Sequence, residues 1–223
     1  MAQTPGIKTP IYTTLMCAWW HADALDEEDS TRVLREAFVN IMNSWEGALD
    51  RLAAAEKAAM KPRVRVRFGE TRLELAIDAL YNDCKKKGNE AVLAAVFAEG
   101  KAAETRPRGE SQRKRTEDVL LPRLRALPAS SPIRAEHLPA IEAALTSFVA
   151  AVEARRTAAL ATAHVQAEAN LAREDLVSAF RSNLGAINER WPRSAALCDR
   201  FFFEFRARDS RDGGDDGGGG PTT

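Results

Sequence analysis

The sequence has little of the side-chain chemistry on which most enzyme sites and disulfide-bonded folds depend. Its 223 residues include only three histidines and three cysteines. Cys17, Cys84 and Cys198 are odd in number and far apart, and none belongs to a Cys-x-x-Cys motif, so structural disulfides are not expected. This cysteine usage is typical of a reducing compartment, and we predict a cytoplasmic location.

Long apolar runs are also missing from the sequence. A helix needs ~20 apolar residues to cross a bilayer, and no run approaches that length. The most apolar early segment, residues 11–20, contains Thr13 and Thr14, ends in two tryptophans and has only Lys8 ahead of it as a positive charge. We therefore predict neither a membrane span nor a secretory signal peptide.

The short motifs whose spacing carries a mechanism are absent as well. The chain has no glycine-rich phosphate loop, no Gly-x-Ser-x-Gly, no His-Glu-x-x-His and no dinucleotide fingerprint. His164 and Glu168 lie four residues apart, but no second histidine is near, so we expect an exposed pair and not a metal site. Cys84 is expected to be buried and unreactive. We predict no catalytic residue, no cofactor and no metal ligand.

The charge of the chain is balanced in total and uneven in distribution. The 32 basic and 32 acidic residues cancel, so bulk charge does not predict binding to nucleic acid. Residues 21–60 carry nine acids and four bases (net −5), whereas residues 61–125 carry sixteen bases and ten acids (net +6). Such asymmetry can steer self-association or the approach of a partner.

Apolar residues at spacings of three and four predict long amphipathic helices, and the pattern occurs twice. The first set recurs after an offset of 103 (141 − 38): Phe38, Met42, Trp45 and Leu49 correspond to Ile141, Leu145, Phe148 and Val152. We predict an all-α fold, an elongated antiparallel helical bundle with coiled-coil-like packing, built by internal duplication of a long helix plus a short helix. Its segments would be a first half at 1–105, a basic linker with a short helix at 106–132, a second half at 133–205 and a disordered Gly/Asp tail at 206–223, the two halves forming one domain.

Residues 61–68 are the ambiguous stretch of this pattern. Arginine alternates with valine from Arg63 onward, and alternation with period two favours a strand. No second strand pattern exists to pair with it, however, so we predict a helix that is kinked or restarted near Pro62.

Two basic clusters are candidates for contact with nucleic acid, because lysine and arginine neutralise phosphates. The cluster at 61–67 contributes Arg63, Arg65 and Arg67, and the cluster at 106–115 contributes Arg113, Lys114 and Arg115. The alternative is that the second cluster is a solvated linker, and that the first forms ion pairs with the acidic segment 21–60.

Aromatic residues near both ends of the chain are candidates for a protein interface. The residues are Trp19, Trp20, Phe202, Phe203 and Phe205. The closely spaced phenylalanines point in several directions around a helix, so they are either enclosed by the bundle or partly docked on another chain.

Three functions remain open from these observations. The first is a non-catalytic helical scaffold or interaction subunit, with a protein partner or with a second copy of itself. The second is an accessory subunit associated with nucleic acid through the basic clusters 61–67 and 106–115. The third is an enzyme whose site lies unrecognised between the helices.

Overall fold

The computed structural model describes residues 4–86 and 89–203, and Phe205 and the predicted tail at 206–223 lie outside them. Every regular element in the described stretches is helical, which confirms the predicted all-α fold. None of these helices is long and apolar enough to cross a membrane. The elements are α1 (Ile11–Asp26), α2 (Arg32–Lys86), α3 (Glu90–Val96), α4 (Lys101–Thr105), α5 (Glu110–Arg115), a π-helical turn (Thr116–Leu120), α6 (Leu121–Arg125), α7 (Pro132–Arg190) and α8 (Ala195–Arg200).

The chain folds into two compact units that share the two long helices. The terminal unit contains the described residues 4–48 and 169–203, and the central unit is Leu49–Glu168. Each unit therefore takes one end of α2 and the opposite end of α7, and neither unit coincides with a predicted sequence half. The repeated apolar positions are buried or half-buried in both halves. Any pair of amphipathic helices produces that result, so the internal duplication stays a prediction.

Helix α2 continues through the stretch that the sequence left ambiguous. Residues 61–68 all lie inside it, so the alternating arginines belong to a helix and not to a strand. A proline inside a helix removes one backbone hydrogen bond and costs about 3 kcal/mol. Val66 and Gly69, which follow Pro62 closely, are both buried in the central unit, and their burial offsets part of that cost.

The core of the central unit forms where the later part of α2 packs on the early part of α7, running antiparallel to it. Both helices present apolar side chains at spacings of three and four, so each offers one continuous stripe. The short helices α3 and α6 cover this pair. The fully buried members include Leu73, Ile77, Leu80, Val96, Leu120, Leu124, Ile133, Ile141 and Phe148.

The core of the terminal unit gathers α1, the first part of α2, the last part of α7 and α8. Phe38 of α2 meets Phe180 of α7 edge to face, with ring centroids 4.9 Å apart. Aromatic pairs in this geometry add about 1 kcal/mol beyond their area burial. The other large buried side chains are Leu25, Met42, Trp45, Leu176, Ile187, Phe201 and Phe202.

Within the central unit, α2 and α7 approach each other closely at Gly69. A Cβ atom placed on Gly69 would lie 3.1 Å from the Cα of Phe148 and 3.4 Å from its Cβ. The obstacle is backbone of another helix, which cannot swing aside as a flexible side chain can. The absence of a side chain at this position therefore fixes how closely α2 and α7 pack.

We expect Gly69→Ala to lower the free energy of unfolding by about 1 kcal/mol, because overpacking at Phe148 outweighs the gain in helix propensity. Gly185→Ala is the matched control, since Gly185 also lies inside a long helix and has no atom within 4 Å of the added Cβ. That control should raise the free energy of unfolding by about 1 kcal/mol. Urea titration of both variants measures the difference, and equal stabilisation of both would contradict the close approach.

Candidate functional site

A buried carboxylate organises the segment that the sequence predicted to be a linker. Glu104 is 1% exposed. It accepts hydrogen bonds from Nε and Nη2 of Arg115, the latter at 2.8 Å, and it lies 3.5 Å from Nη1 of Arg123. Glu99 pairs with both arginines at 2.8 Å, which closes a ring of four charges within the central unit. The hydrogen bond from Arg115 to Glu104 is the main reason that the pKa of this guanidinium is raised.

The predicted basic cluster at 106–115 is largely neutralised by such pairs. Arg113 lies between Glu110 and Glu117, and its nearest oxygen on Glu117 is 3.1 Å away. Arg115 belongs to the ring around Glu104, whereas Lys114 is exposed. Two of the three predicted contacts in this cluster therefore stabilise α5 and its neighbours. Helical structure and ion pairs replace the solvated linker, because carboxylates from Glu99 to Glu117, on both sides of the cluster, pair with its arginines.

A buried histidine anchors the phenylalanine segment of the terminal unit. His21 is fully buried, and its Nδ1 lies 2.7 Å from the backbone oxygen of Phe201. Only a protonated nitrogen can donate to that carbonyl, so the proton is on Nδ1 and Nε2 accepts from the Asn183 amide at 3.0 Å. The ring also stacks on Phe202 with centroids 4.7 Å apart. Both nitrogens of a neutral imidazole are thus satisfied, and desolvation lowers the pKa of His21 to about 4.

This buried imidazole should make the protein acid-sensitive in a defined window. In the unfolded chain His21 takes up a proton near pH 6.5, whereas in the folded chain it does so only near pH 4. The stabilisation from the neutral ring is therefore complete above pH 6.5, is lost as the pH falls, and changes no further below pH 4. The total loss corresponds to about 3 kcal/mol. We expect His21→Gln to remove this part of the pH dependence of the free energy of unfolding, measured by urea titration between pH 6.5 and pH 4. A variant with the same pH dependence as the wild type would contradict this prediction.

An apolar groove with an acidic rim lies on the terminal unit, and we call it the aromatic groove. It has a volume of about 390 Å³ and runs between α1 and α8. Trp20 is 49% exposed at its edge, and the indole nitrogen donates to the Arg200 backbone oxygen at 3.1 Å. The groove is lined by Trp20, Asp23, Ala24, Glu27, Glu28, Leu197, Arg200 and Phe201.

The five predicted interface residues separate into different environments. Trp20 lines the aromatic groove, whereas the Trp19 indole is turned toward Glu46 and donates to its carboxylate at 2.7 Å. Phe202 is 3% exposed and belongs to the core, because it stacks on the buried His21 ring. Phe203 is half-buried, with its ring edge-on to Trp20 at 5.9 Å. The fifth residue, Phe205, lies outside the described residues.

A second groove lies on the central unit between α2 and α7, and we call it the arginine groove. It has a volume of about 550 Å³. Arg65, Arg72 and the 62% exposed ring of Phe68 line its α2 side, while the α7 side consists of small side chains. The lining residues are Val64, Arg65, Phe68, Gly69, Arg72, Ser147, Ala150, Ala151 and Ala154, and no carboxylate is among them.

Helical geometry divides the first predicted basic cluster. Residues two apart share a face in a strand, but on a helix they diverge by about 200°. Arg63 and Arg67 therefore share one side of α2, and Arg65 points away from both. The residues that do share the side of Arg65 are Lys61, Phe68 and Arg72, at intervals of three and four. Lys61 lies within the predicted cluster at 61–67, whereas Phe68 and Arg72 fall outside it, because the alternating pattern groups residues two apart. Counting the same stretch at a helical period brings all three together.

The arginines of α2 are not neutralised in the way the sequence alternative required. Arg63, Arg65, Arg67 and Arg72 are exposed, and none forms an ion pair with another residue of the described ranges. Their charges are therefore available to a ligand.

A third cluster joins the end of α2 to the start of α7 in the central unit. His137 Nε2 lies 3.0 Å from Asp83 Oδ2, and Glu136 adds a carboxylate close by. The pair named in the sequence, His164 and Glu168, is an exposed contact of 3.3 Å within one helix. No local sequence pattern points to the cluster of Asp83 and His137, because 54 residues separate the two.

The three cysteines are not placed as reactive thiols. Cys17, Cys84 and Cys198 are all buried, and burial raises the pKa of the Cys17 thiol to about 11. No thiol among them has the exposure that a reactive cysteine needs.

Searches against known protein families, curated proteins and solved structures found no match to this chain.

Proposed function

We propose that this chain is a non-catalytic helical interaction protein, and that its aromatic groove binds a basic, apolar segment of a protein partner. The observation that carries the proposal is the composition of that groove. A half-exposed tryptophan, Trp20, stands beside an apolar floor of Leu197 and Phe201, and a carboxylate rim surrounds them. Partly exposed tryptophans in grooves are frequent anchors of protein interfaces.

The charge of the rim specifies the kind of partner. Asp23, Glu27 and Glu28 contribute three carboxylates, and none of them is ion-paired with a residue of the described ranges. Arg200 is the one cation in the lining, so the groove keeps a net negative charge. Lysine or arginine side chains on the partner would pair with the rim, while its apolar side chains fill the floor. A cation over the Trp20 ring would gain a further cation–π contribution.

The groove lining also favours binding over catalysis. Neither a histidine nor a cysteine is among its residues, and its carboxylates stand on an open rim. Nucleophilic catalysis needs a nucleophile within hydrogen-bond reach of a base, and the lining contains no such pair.

Two neighbouring tryptophans provide a matched test of the proposal. Trp20→Ala should abolish capture of the partner from host extract, because it removes the anchor of the groove. Trp19→Ala should retain capture, since Trp19 has similar exposure but does not line the groove. Captured proteins are identified by mass spectrometry, and each is then titrated as a purified protein against both variants.

Salt and charge give this test a second readout. Binding should weaken as ionic strength rises, because the rim acts through exposed charges. Glu27→Gln combined with Glu28→Gln should weaken it further while leaving the fold intact. Equal loss in the Trp19 and Trp20 variants, or binding insensitive to the glutamates, would count against the aromatic groove as the docking surface. Association of the chain only with itself would favour a scaffold that assembles without a basic partner.

The arginine groove favours a second candidate function, the binding of single-stranded nucleic acid. Lys61, Arg65 and Arg72 form a cationic stripe along α2, and the exposed Phe68 ring lies among them. Cations along a groove track the phosphate backbone, and an exposed aromatic ring offers a stacking surface for a base. This interleaving distinguishes the stripe from a solvated run of charges.

Arginine pairs on opposite sides of α2 allow a charge-matched test of this candidate. We expect Arg65→Ala with Arg72→Ala to weaken binding of a fluorescent single-stranded oligonucleotide by at least about tenfold at low salt, and to reduce the slope of log affinity against log salt by about 1.4. The control, Arg63→Ala with Arg67→Ala, removes the same charge from the other side and should cost much less. Equal losses in the two double variants would indicate bulk charge, and no binding by the wild type at low salt would exclude the candidate.

A further inference from the structure

Three metal-ligating side chains converge in the central unit, where the end of α2 lies beside the start of α7. Asp83 comes from α2, and Glu136 and His137 come from the second turn of α7. One oxygen of each carboxylate and one imidazole nitrogen all lie within 4.8 Å of one another. The three groups are therefore close enough to share a single ion after small rotations of their side chains.

The distance between Asp83 and His137 is the distance that a shared ion requires. Zinc lies about 2 Å from a histidine nitrogen or a carboxylate oxygen, so two ligands at roughly right or tetrahedral angles are about 3 Å apart. Asp83 Oδ2 and His137 Nε2 are separated by 3.0 Å. Glu136 is exposed, and one of its carboxylate oxygens already lies within 4.8 Å of ligand atoms of both residues.

The histidine separates this cluster from an ordinary group of surface acids. His137 is only 6% exposed, and packing of the helices holds its ring toward Asp83. Oxygen-only clusters favour magnesium or calcium, whereas an imidazole nitrogen favours zinc and the other later first-row ions. One buried nitrogen and two carboxylates thus define the chemical class of the ligand.

We propose that Asp83, Glu136 and His137 bind one divalent first-row transition-metal ion, for which Zn²⁺ is the representative. Three protein ligands leave a fourth tetrahedral position open to water or to a group from a bound molecule. The ion would link the end of α2 to the start of α7 within the central unit. This inference is independent of both grooves.

A hydrogen bond between His137 and Asp83 alone is the competing explanation of their distance. The two accounts differ at Glu136, which a metal needs as its third ligand and a simple histidine–aspartate pair does not. Glu136 is exposed, so its substitution leaves the fold intact. Its isosteric variant is therefore the decisive one.

Calorimetric titration of the full chain with Zn²⁺, in a buffer with a reductant that does not bind metal, tests the proposal. The wild type should bind one ion, and Glu136→Gln and Asp83→Asn should each weaken binding by at least about tenfold. Glu168→Gln is the matched control, because it alters the exposed His164–Glu168 pair, which has two ligands and not three. The three cysteines are buried in the folded chain and do not compete for the ion.

Substitution with Co²⁺ gives a second readout that does not depend on affinity. A tetrahedral site with nitrogen and oxygen ligands should give visible absorption in the wild type and in Glu168→Gln, and not in Glu136→Gln. Absence of Zn²⁺ binding by the wild type would overturn the proposal. Binding that survives both Glu136→Gln and Asp83→Asn, or that is lost in Glu168→Gln, would overturn it as well.

Discussion

The lateral packing of α2 against α7 is the constraint on which the rest of the structure depends. Helices of 55 and 59 residues cannot bury an apolar stripe alone, and within each unit the segments of α2 and α7 pack their stripes against each other. In the central unit Gly69 lets the backbones approach at Phe148, and that approach sets the depth of the arginine groove beside it. The same pairing brings Asp83 to His137.

Polar groups inside each unit determine how the smaller elements attach to this pair. In the central unit Glu104 is buried, so it must be paired, and Arg115 and Arg123 meet that need from α5 and α6. In the terminal unit His21 of α1 is buried and neutral, and its bond to Phe201 holds the chain that follows α8. Glu104 and His21 are stabilised in different ways. A buried carboxylate needs positively charged partners, whereas a buried imidazole can lose its proton and become neutral.

Much of the fold was predictable, because apolar spacing is a local property of the sequence. The stripes containing Phe38 and Ile141 correctly indicated long helices, and the lack of any partner for the alternation at Arg63 correctly argued against a strand. The division into units was not predictable, because it depends on contacts between residues that are far apart in the sequence. The burial of Glu104 was not predictable either, since its local sequence is typical of a solvent-exposed helix.

The candidate sites were predictable only where they lie within one helix. Trp20 was predictable as an interface residue, because two adjacent tryptophans have a large apolar area and rarely stay free in water. Arg65 was also predictable as a nucleic-acid contact. The alternating pattern grouped it with Arg63 and Arg67, however, and on a helix those two residues lie on another side. The cluster at Asp83 and His137 depends on the register between two helices, and no local pattern encodes it. Phe202 was named as an interface residue, although His21 encloses it from a distant part of the chain.

The register of α2 against α7 is most directly tested by an engineered cross-link between Gly69→Cys and Phe148→Cys. A Cβ at position 69 lies 3.4 Å from the Cβ of residue 148, close to the separation of about 3.8 Å that a disulfide prefers. This pair should oxidise within the monomer, and peptide mapping should recover a 69–148 bond. The control pair, Gly69→Cys with Leu145→Cys, lies about one helical turn out of register and should stay reduced. A folded protein in which the control pair oxidises as readily, or in which the 69–148 pair stays reduced, would contradict this register of α2 against α7.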